Sequence, residues 1–130
     1  MKDLQKEFVP YELALRMKEL GFDEPCFGYY SKGVLSIENI KNGKFFTDED
    51  SIYFEIENSC LAPTWQSAFK WFREKKFQAE ILWRGDMGDF CWKIGRFKYG
   101  SHFFSEGGFE SYEEAELACL EKLIEIVENK

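Results

Sequence analysis

The most regular pattern of apolar and polar positions lies near the end of the chain, in residues 111–129. Apolar residues recur there every three or four positions and cover about half of a helical wheel, which predicts a helix with more than one packing neighbour. Ser111 and Glu114 have the spacing of a capping box, which satisfies free N–H groups at the start of a helix. We therefore expect this helix to lie across a sheet and to contact a second helix.

Two shorter helical patterns come earlier in the chain. The first opens at Pro10 and ends at Gly21, and its repeating apolar residues are Val9, Leu13, Met17 and Leu20. The second opens at Pro63, and its expected buried stripe consists of Leu61, Trp65, Ala68, Phe69 and Phe72. Trp71 falls outside that stripe, on a flank that it shares with Lys75. This position predicts a tryptophan at the edge of the core, where it either seals the core or is offered to a partner.

Alternating apolar and polar residues predict the strands. Residues 27–30 and 34–37 form a hairpin pattern across a three-residue turn, Ser31-Lys32-Gly33, and residues 51–57 alternate cleanly. Three further strands are expected at residues 77–84, 90–97 and 102–105. A turn at residues 85–89 joins the first two of these, and residues 106–108 lead into the last helix.

The predicted elements run in the order helix, hairpin, strand, helix, three antiparallel strands, helix. This order favours an α+β fold, with an antiparallel sheet that carries two helices on one face, plus an N-terminal helix and a β-hairpin. The C-terminal half has the order α-β-β-β-α, which is that of a double-stranded-RNA-binding domain. With 130 residues, the chain is expected to form a single domain over residues 1–130.

Composition adds an excess of aromatic residues to this picture. Phe, Tyr and Trp make up 18% of the chain, more than a small core readily hides, so part of this aromatic surface should be exposed. The net charge of −7 opposes non-specific attraction to nucleic acid or to an anionic membrane. Only the middle third is basic, because residues 58–109 carry 8 basic and 5 acidic side chains.

The cysteines and the N-terminus predict a cytoplasmic protein. Cys26, Cys60, Cys91 and Cys119 form no C-x-x-C pair, and the charged N-terminus does not have the pattern of a signal peptide. These residues are expected to be free thiols in a reducing compartment. No apolar run approaches the length needed to span a membrane.

Three phrases of the sequence carry a resemblance to a known family. They are residues 8–15 together with 19–30, residues 61–75, and residues 111–127. Together they resemble a family of small uncharacterised proteins common in bacteriophages and mobile elements of gut Bacteroidetes. The resemblance implies a single-domain cytosolic or phage-expressed protein, and it implies no mechanism and no site residues.

Catalytic and metal-binding patterns are weak. His102 is the only histidine, and no spacing links it to a nucleophile and an orienting carboxylate. The four cysteines and this histidine lack the spacing of metal ligands, and no glycine pattern matches a phosphate-binding loop. The sequence therefore predicts a protein that is not an enzyme and that has no metal or cofactor.

The basic and aromatic middle segment is the candidate binding region. Its candidate binding residues are Trp71, Arg73, Lys75, Trp83, Arg84 and Trp92. Our leading hypothesis is a non-enzymatic protein that binds a protein partner through an exposed aromatic surface, with a host factor as the partner if the phage-type resemblance holds. The alternatives are single-stranded nucleic-acid binding, which stacked aromatic rings and cations favour, and small-ligand binding in an aromatic cleft. The acidic remainder of the chain disfavours nucleic acid.

Overall fold

The computed structural model describes residues 5–24, 26–36, 59–96 and 104–129. The chain divides into two compact units, Met1–Ala68 and Phe69–Lys130. The expectation of a single domain stays a prediction. The strand predicted at residues 51–57 lies outside the described residues, as does His102.

The first unit contains a helix and a small antiparallel sheet. Helix α1 is Tyr11–Glu19, with Pro10 at its N-cap, which confirms the first predicted helix. Strands β1 (Gly28–Ser31), β2 (Val34–Ser36) and β3 (Ser59–Ala62) pair in the order β2-β1-β3. The sheet is fastened to the segment before α1 by the hydroxyl of Tyr30, which donates a hydrogen bond of 2.6 Å to the carbonyl oxygen of Val9.

The hairpin turn is one residue shorter than the sequence predicts. Ser31 pairs directly with Val34, which leaves Lys32 and Gly33 as a two-residue turn. Both residues have positive φ angles, 52° and 84°. Two positive φ angles are the requirement of the tight turn whose twist matches that of paired strands, and glycine meets it without strain.

The second helix begins later than predicted. Leu61 was expected in its buried stripe but lies in β3, where it pairs with Tyr29. Helix α2 is Trp65–Glu74, and the boundary between the two units falls within it. Its first turn is capped by Thr64, whose side-chain oxygen accepts from the backbone N–H of Ser67 at 3.2 Å. The prediction that Pro63 opens this helix is therefore wrong by two residues, because the residues before it are held in a sheet.

The second unit has the predicted α-β-β-β-α order. After the end of α2 come β4 (Phe77–Arg84), β5 (Asp89–Arg96), β6 (Phe104–Phe109) and helix α3 (Tyr112–Glu128). The strands form an antiparallel sheet in the order β4-β5-β6, and α3 packs against all three. These findings confirm the α+β class. The prediction for the third strand is wrong in its bounds, since Gly107 and Gly108 lie inside β6.

Helix α3 begins as the sequence predicts. The side-chain oxygen of Ser111 accepts from the backbone N–H of Glu114 at 3.1 Å. The Glu114 carboxylate accepts in turn from the N–H of Glu110 at 3.2 Å, one residue before the expected partner. The residues that α3 buries are Ala115, Cys119, Leu120, Leu123 and Ile124. This stripe is narrower than the predicted half circumference, because Tyr112 and Leu117 remain exposed. Among the described residues, no helix is long and apolar enough to cross a membrane.

Candidate functional site

The tip of the β4–β5 hairpin is held by an ion pair. Arg84 and Asp89 are the last paired residues of the two strands. The guanidinium donates twice to the carboxylate, from Nε to Oδ1 at 2.7 Å and from Nη2 to Oδ2 at 2.6 Å. The turn between them is closed by the N–H of Gly88, which donates to the carbonyl of Arg84 at 2.7 Å. A bidentate pair fixes direction as well as distance, so the end of the hairpin has a defined shape.

Strand β6 completes this arrangement. A Cβ atom added to Gly107 would lie only 2.6 Å from Cζ of Arg84, so the guanidinium occupies space that only glycine leaves free. Its hydrogen bonds hold the pKa of the Asp89 carboxyl below the usual range, and the N–H of Gly108 adds to the effect. Arg84 is therefore located by β5 and β6 together, and its charge is committed to Asp89.

A row of aromatic rings lies at the same end of the sheet. Trp83 and Phe90 are a cross-strand pair, with ring centroids 4.9 Å apart in an edge-to-face arrangement. Phe90 in turn meets Tyr112, at 6.3 Å and almost perpendicular. Edge-to-face pairs of this kind stabilise the positions of both rings. The row joins two strands and the first residue of α3.

Much of this row is open to solvent. Trp83 is 58% exposed and Tyr112 is 44% exposed, and Met87, in the turn at the same end of the hairpin, is 64% exposed. We call Trp83, Met87, Phe90 and Tyr112 the tip surface. Burial raises the pKa of the Tyr112 hydroxyl, and the neighbouring carboxylates of Glu116 and Glu113 raise it further. The tip surface thus offers large apolar rings and a protonated phenol beside acidic side chains.

The structure does not bring the six predicted binding residues onto one surface. Trp83 and Arg84 belong to the tip, whereas Trp71, Arg73 and Lys75 precede β4. Trp71 is only 7% exposed, and Lys75 Nζ lies 4.3 Å from its ring centroid. Of the two readings of Trp71, this burial favours a ring that seals the core.

Trp92 also lies inside the second unit. It is 4% exposed, and its Nε1 makes no hydrogen bond within the part of the chain that the structure describes. Arg73 is exposed on α2. Of the three tryptophans predicted for binding, only Trp83 therefore has a ring that a partner can reach.

Sequence reasoning missed Phe90, Met87 and Tyr112 as site residues. The sequence pattern assigns Phe90 to a strand and gives it no binding role, although the short predicted turn sets it opposite Trp83. Met87 is the apolar residue of an otherwise polar turn, which is a weak signal of an exposed contact. Tyr112 carries no such signal, because its neighbours at the tip are more than 20 residues away along the chain.

The described residues hold little that suggests catalysis or metal binding. Within those ranges, no group of three or more His, Cys, Asp or Glu side chains is arranged to hold a metal ion. All four cysteines are buried, and none of them forms a disulfide bond within the part of the chain that the structure describes. Burial raises the pKa of Cys60 and of Cys119 to about 12, so both thiols stay protonated at neutral pH and lack the thiolate that a nucleophile needs.

The chain matches no protein-family model, no curated protein and no solved structure. The choice of the tip surface as the candidate site therefore depends on the geometry described above.

Proposed function

We propose that this protein is a non-enzymatic interaction protein that binds a protein partner through the tip surface. The observation that carries the proposal is the 58% exposure of Trp83 on a hairpin whose end is fixed by the Arg84–Asp89 pair. Tryptophan and tyrosine are enriched among the residues that contribute most to protein interfaces. A ring that is already held by Phe90 loses little conformational freedom on binding, which favours affinity.

The charge at the tip supports a protein partner over nucleic acid. Arg84 is paired with Asp89, and Tyr112 has the carboxylates of Glu113 and Glu116 as neighbours. Single-strand binding needs several stacking rings along a positive groove, but Trp71 and Trp92 are buried. We propose further, from the resemblance to proteins of bacteriophages and mobile elements, that the partner is a host factor.

A pull-down from host lysate tests the proposal, with the wild-type chain compared with Trp83→Ala and Tyr112→Ala. Loss of a central aromatic contact should weaken capture of the specific partner by about 30-fold or more. Leu82→Ala is the matched control, because Leu82 is exposed on the same strand but on the opposite face of the sheet. Its capture should remain within about threefold of wild type.

The experiment is run with and without nuclease, and each variant is first checked for an unchanged circular dichroism spectrum. Equal capture by wild type and Trp83→Ala would refute a role for the tip surface. Capture that disappears on nuclease treatment would instead support the nucleic-acid alternative.

A further inference from the structure

A pocket lies at the end of the second unit's sheet opposite to the tip surface. It has a volume of about 180 Å³ and is lined by Phe77, Ile94, Gly95, Arg96, Phe104 and Ile126. These residues come from the start of β4, the end of β5, the start of β6 and the last turns of α3. Strand β4 has eight residues, so the pocket and the tip are separated by about 25 Å. A ligand in the pocket would therefore not compete directly with a partner at the tip.

The interior of the pocket is apolar. Phe77 and Ile94 are buried and form its inner wall, while Phe104 is partly exposed at its mouth. A dry cavity of about 150 Å³ is large enough to bind benzene. The volume observed here therefore suits one aromatic ring or a short hydrocarbon chain.

The mouth of the pocket is cationic. Arg96 is one of the lining residues, and its guanidinium carbon lies 5.0 Å from the centroid of the Phe77 ring. Within the described ranges, no carboxylate forms an ion pair with Arg96. A second cation, Lys122, has its Nζ 5.0 Å from the Phe104 ring and 3.4 Å from Glu125, which offsets part of its charge. Arg96 is thus the cation at the mouth with donors still available to a ligand.

We propose that this pocket binds a small carboxylic acid whose apolar part is a single ring or a short chain. The apolar part occupies the space beside Phe77 and Ile94, and the carboxylate pairs with the guanidinium of Arg96. The planar fork of arginine matches the two oxygens of a carboxylate. This proposal is independent of the tip surface, and either one can fail while the other stands.

The test uses phenylacetate as the probe, with phenethyl alcohol and phenethylamine as neutral and cationic analogues of similar shape. Binding to the full chain is followed by ligand-observed and heteronuclear NMR titration. Phenylacetate should saturate at a concentration below about 10 mM and bind about tenfold more tightly than the alcohol. The amine should bind more weakly than either.

Two variants separate the charge from the pocket. Arg96→Gln should abolish the preference for phenylacetate over the alcohol, and Arg73→Gln, on the exposed face of α2, should leave it unchanged. Ile126→Phe places a larger side chain at the mouth and should weaken both ligands by about tenfold. The proposal is overturned if phenylacetate does not saturate, if acid and alcohol bind equally, or if Ile126→Phe leaves binding unchanged in a folded protein.

Discussion

Trp71 and Trp83 carry the same side chain in the same unit, yet their replacement by alanine should affect folding very differently. Trp71 is 7% exposed and lies edge-to-face with Phe72, at a centroid distance of 5.1 Å. Trp83 is 58% exposed, and its ring lies edge-to-face with Phe90 at a centroid distance of 4.9 Å. Because both variants delete the same indole, the difference between them reports how burial of the ring affects the free energy of unfolding.

The expected losses of stability follow from the surface area that each indole buries. A buried indole removes about 200 Å² from water, which at about 25 cal/mol per Å² corresponds to an upper limit of about 5 kcal/mol. The methyl group of alanine still buries part of this area, so Trp71→Ala should lower the free energy of unfolding by about 3 to 5 kcal/mol. Trp83 buries less than half as much, and Trp83→Ala should cost about 1 kcal/mol.

The assay is urea-induced unfolding followed by circular dichroism, with the slope of the transition compared between variants. An unchanged slope means that the shift in midpoint reports stability. If Trp71→Ala costs less than about 1 kcal/mol, or if the two variants agree within about half a kcal/mol, the assignment of Trp71 to the core is wrong. The helical spacing in the sequence, with Trp71 outside the buried stripe, predicts that smaller cost.

Two further perturbations test packing, one in each unit. Gly107→Ala should cost about 1 kcal/mol, because its methyl group displaces the Arg84 guanidinium, and the cost should vanish in an Arg84→Ala background; an equal cost in both backgrounds would contradict this contact. Burial raises the pKa of Tyr30 to about 12, with a further contribution from Cys60, whose own pKa burial raises to about 12. Each group therefore stabilises the fold fully below its unfolded pKa, near 10 for the phenol and 9 for the thiol, and loses that contribution as the pH rises to 12, at up to about 1.4 kcal/mol per pH unit per group. Urea melts between pH 8 and pH 12 should show this decline, and Tyr30→Phe should make it shallower; a flat profile would contradict it.

The sequence pattern puts Trp71 outside the buried face of its helix, and the reason for this error can be identified. The predicted stripe counts Trp65 and Phe69 as buried, which leaves Trp71 on its flank, whereas both residues are only partly buried in α2. In the structure Leu61 belongs to β3. With the helix starting at Trp65, the buried face is centred on Ala68, Trp71 and Phe72, which have the i, i+3, i+4 spacing of one side of a helix. The helical period was predicted correctly, but the direction of the buried face was not.

Elements set by local signals were predictable, and contacts between distant segments were not. The cap at Ser111 and the alternation in β4 depend on neighbouring residues, and both appear as expected. The bounds of β6 were not predicted, and the space left by the missing side chain of Gly107 is filled by the guanidinium of Arg84, more than 20 residues earlier. The same holds for the tip surface. The pairing of Trp83 with Phe90 is set by a short local turn, whereas Tyr112 belongs to a separate helix and its contact with Phe90 could not be predicted.

The ligands that we propose for the two ends of the sheet in the second unit differ for one physical reason, the interactions of the arginine at each end. At the tip, Asp89 neutralises Arg84, so the charge serves to fix the hairpin and leaves the rings as the accessible feature. A partly exposed pair of this kind contributes little to stability, and its main effect is on geometry. At the other end, Arg96 lines an apolar pocket beside the ring of Phe77, and it has no carboxylate partner among the described residues, so its donors remain open to an anion. A neutralised cation at the end that carries exposed rings suits a protein surface. A cation that has no ion-pair partner among the described residues, beside an apolar pocket, suits a small acid.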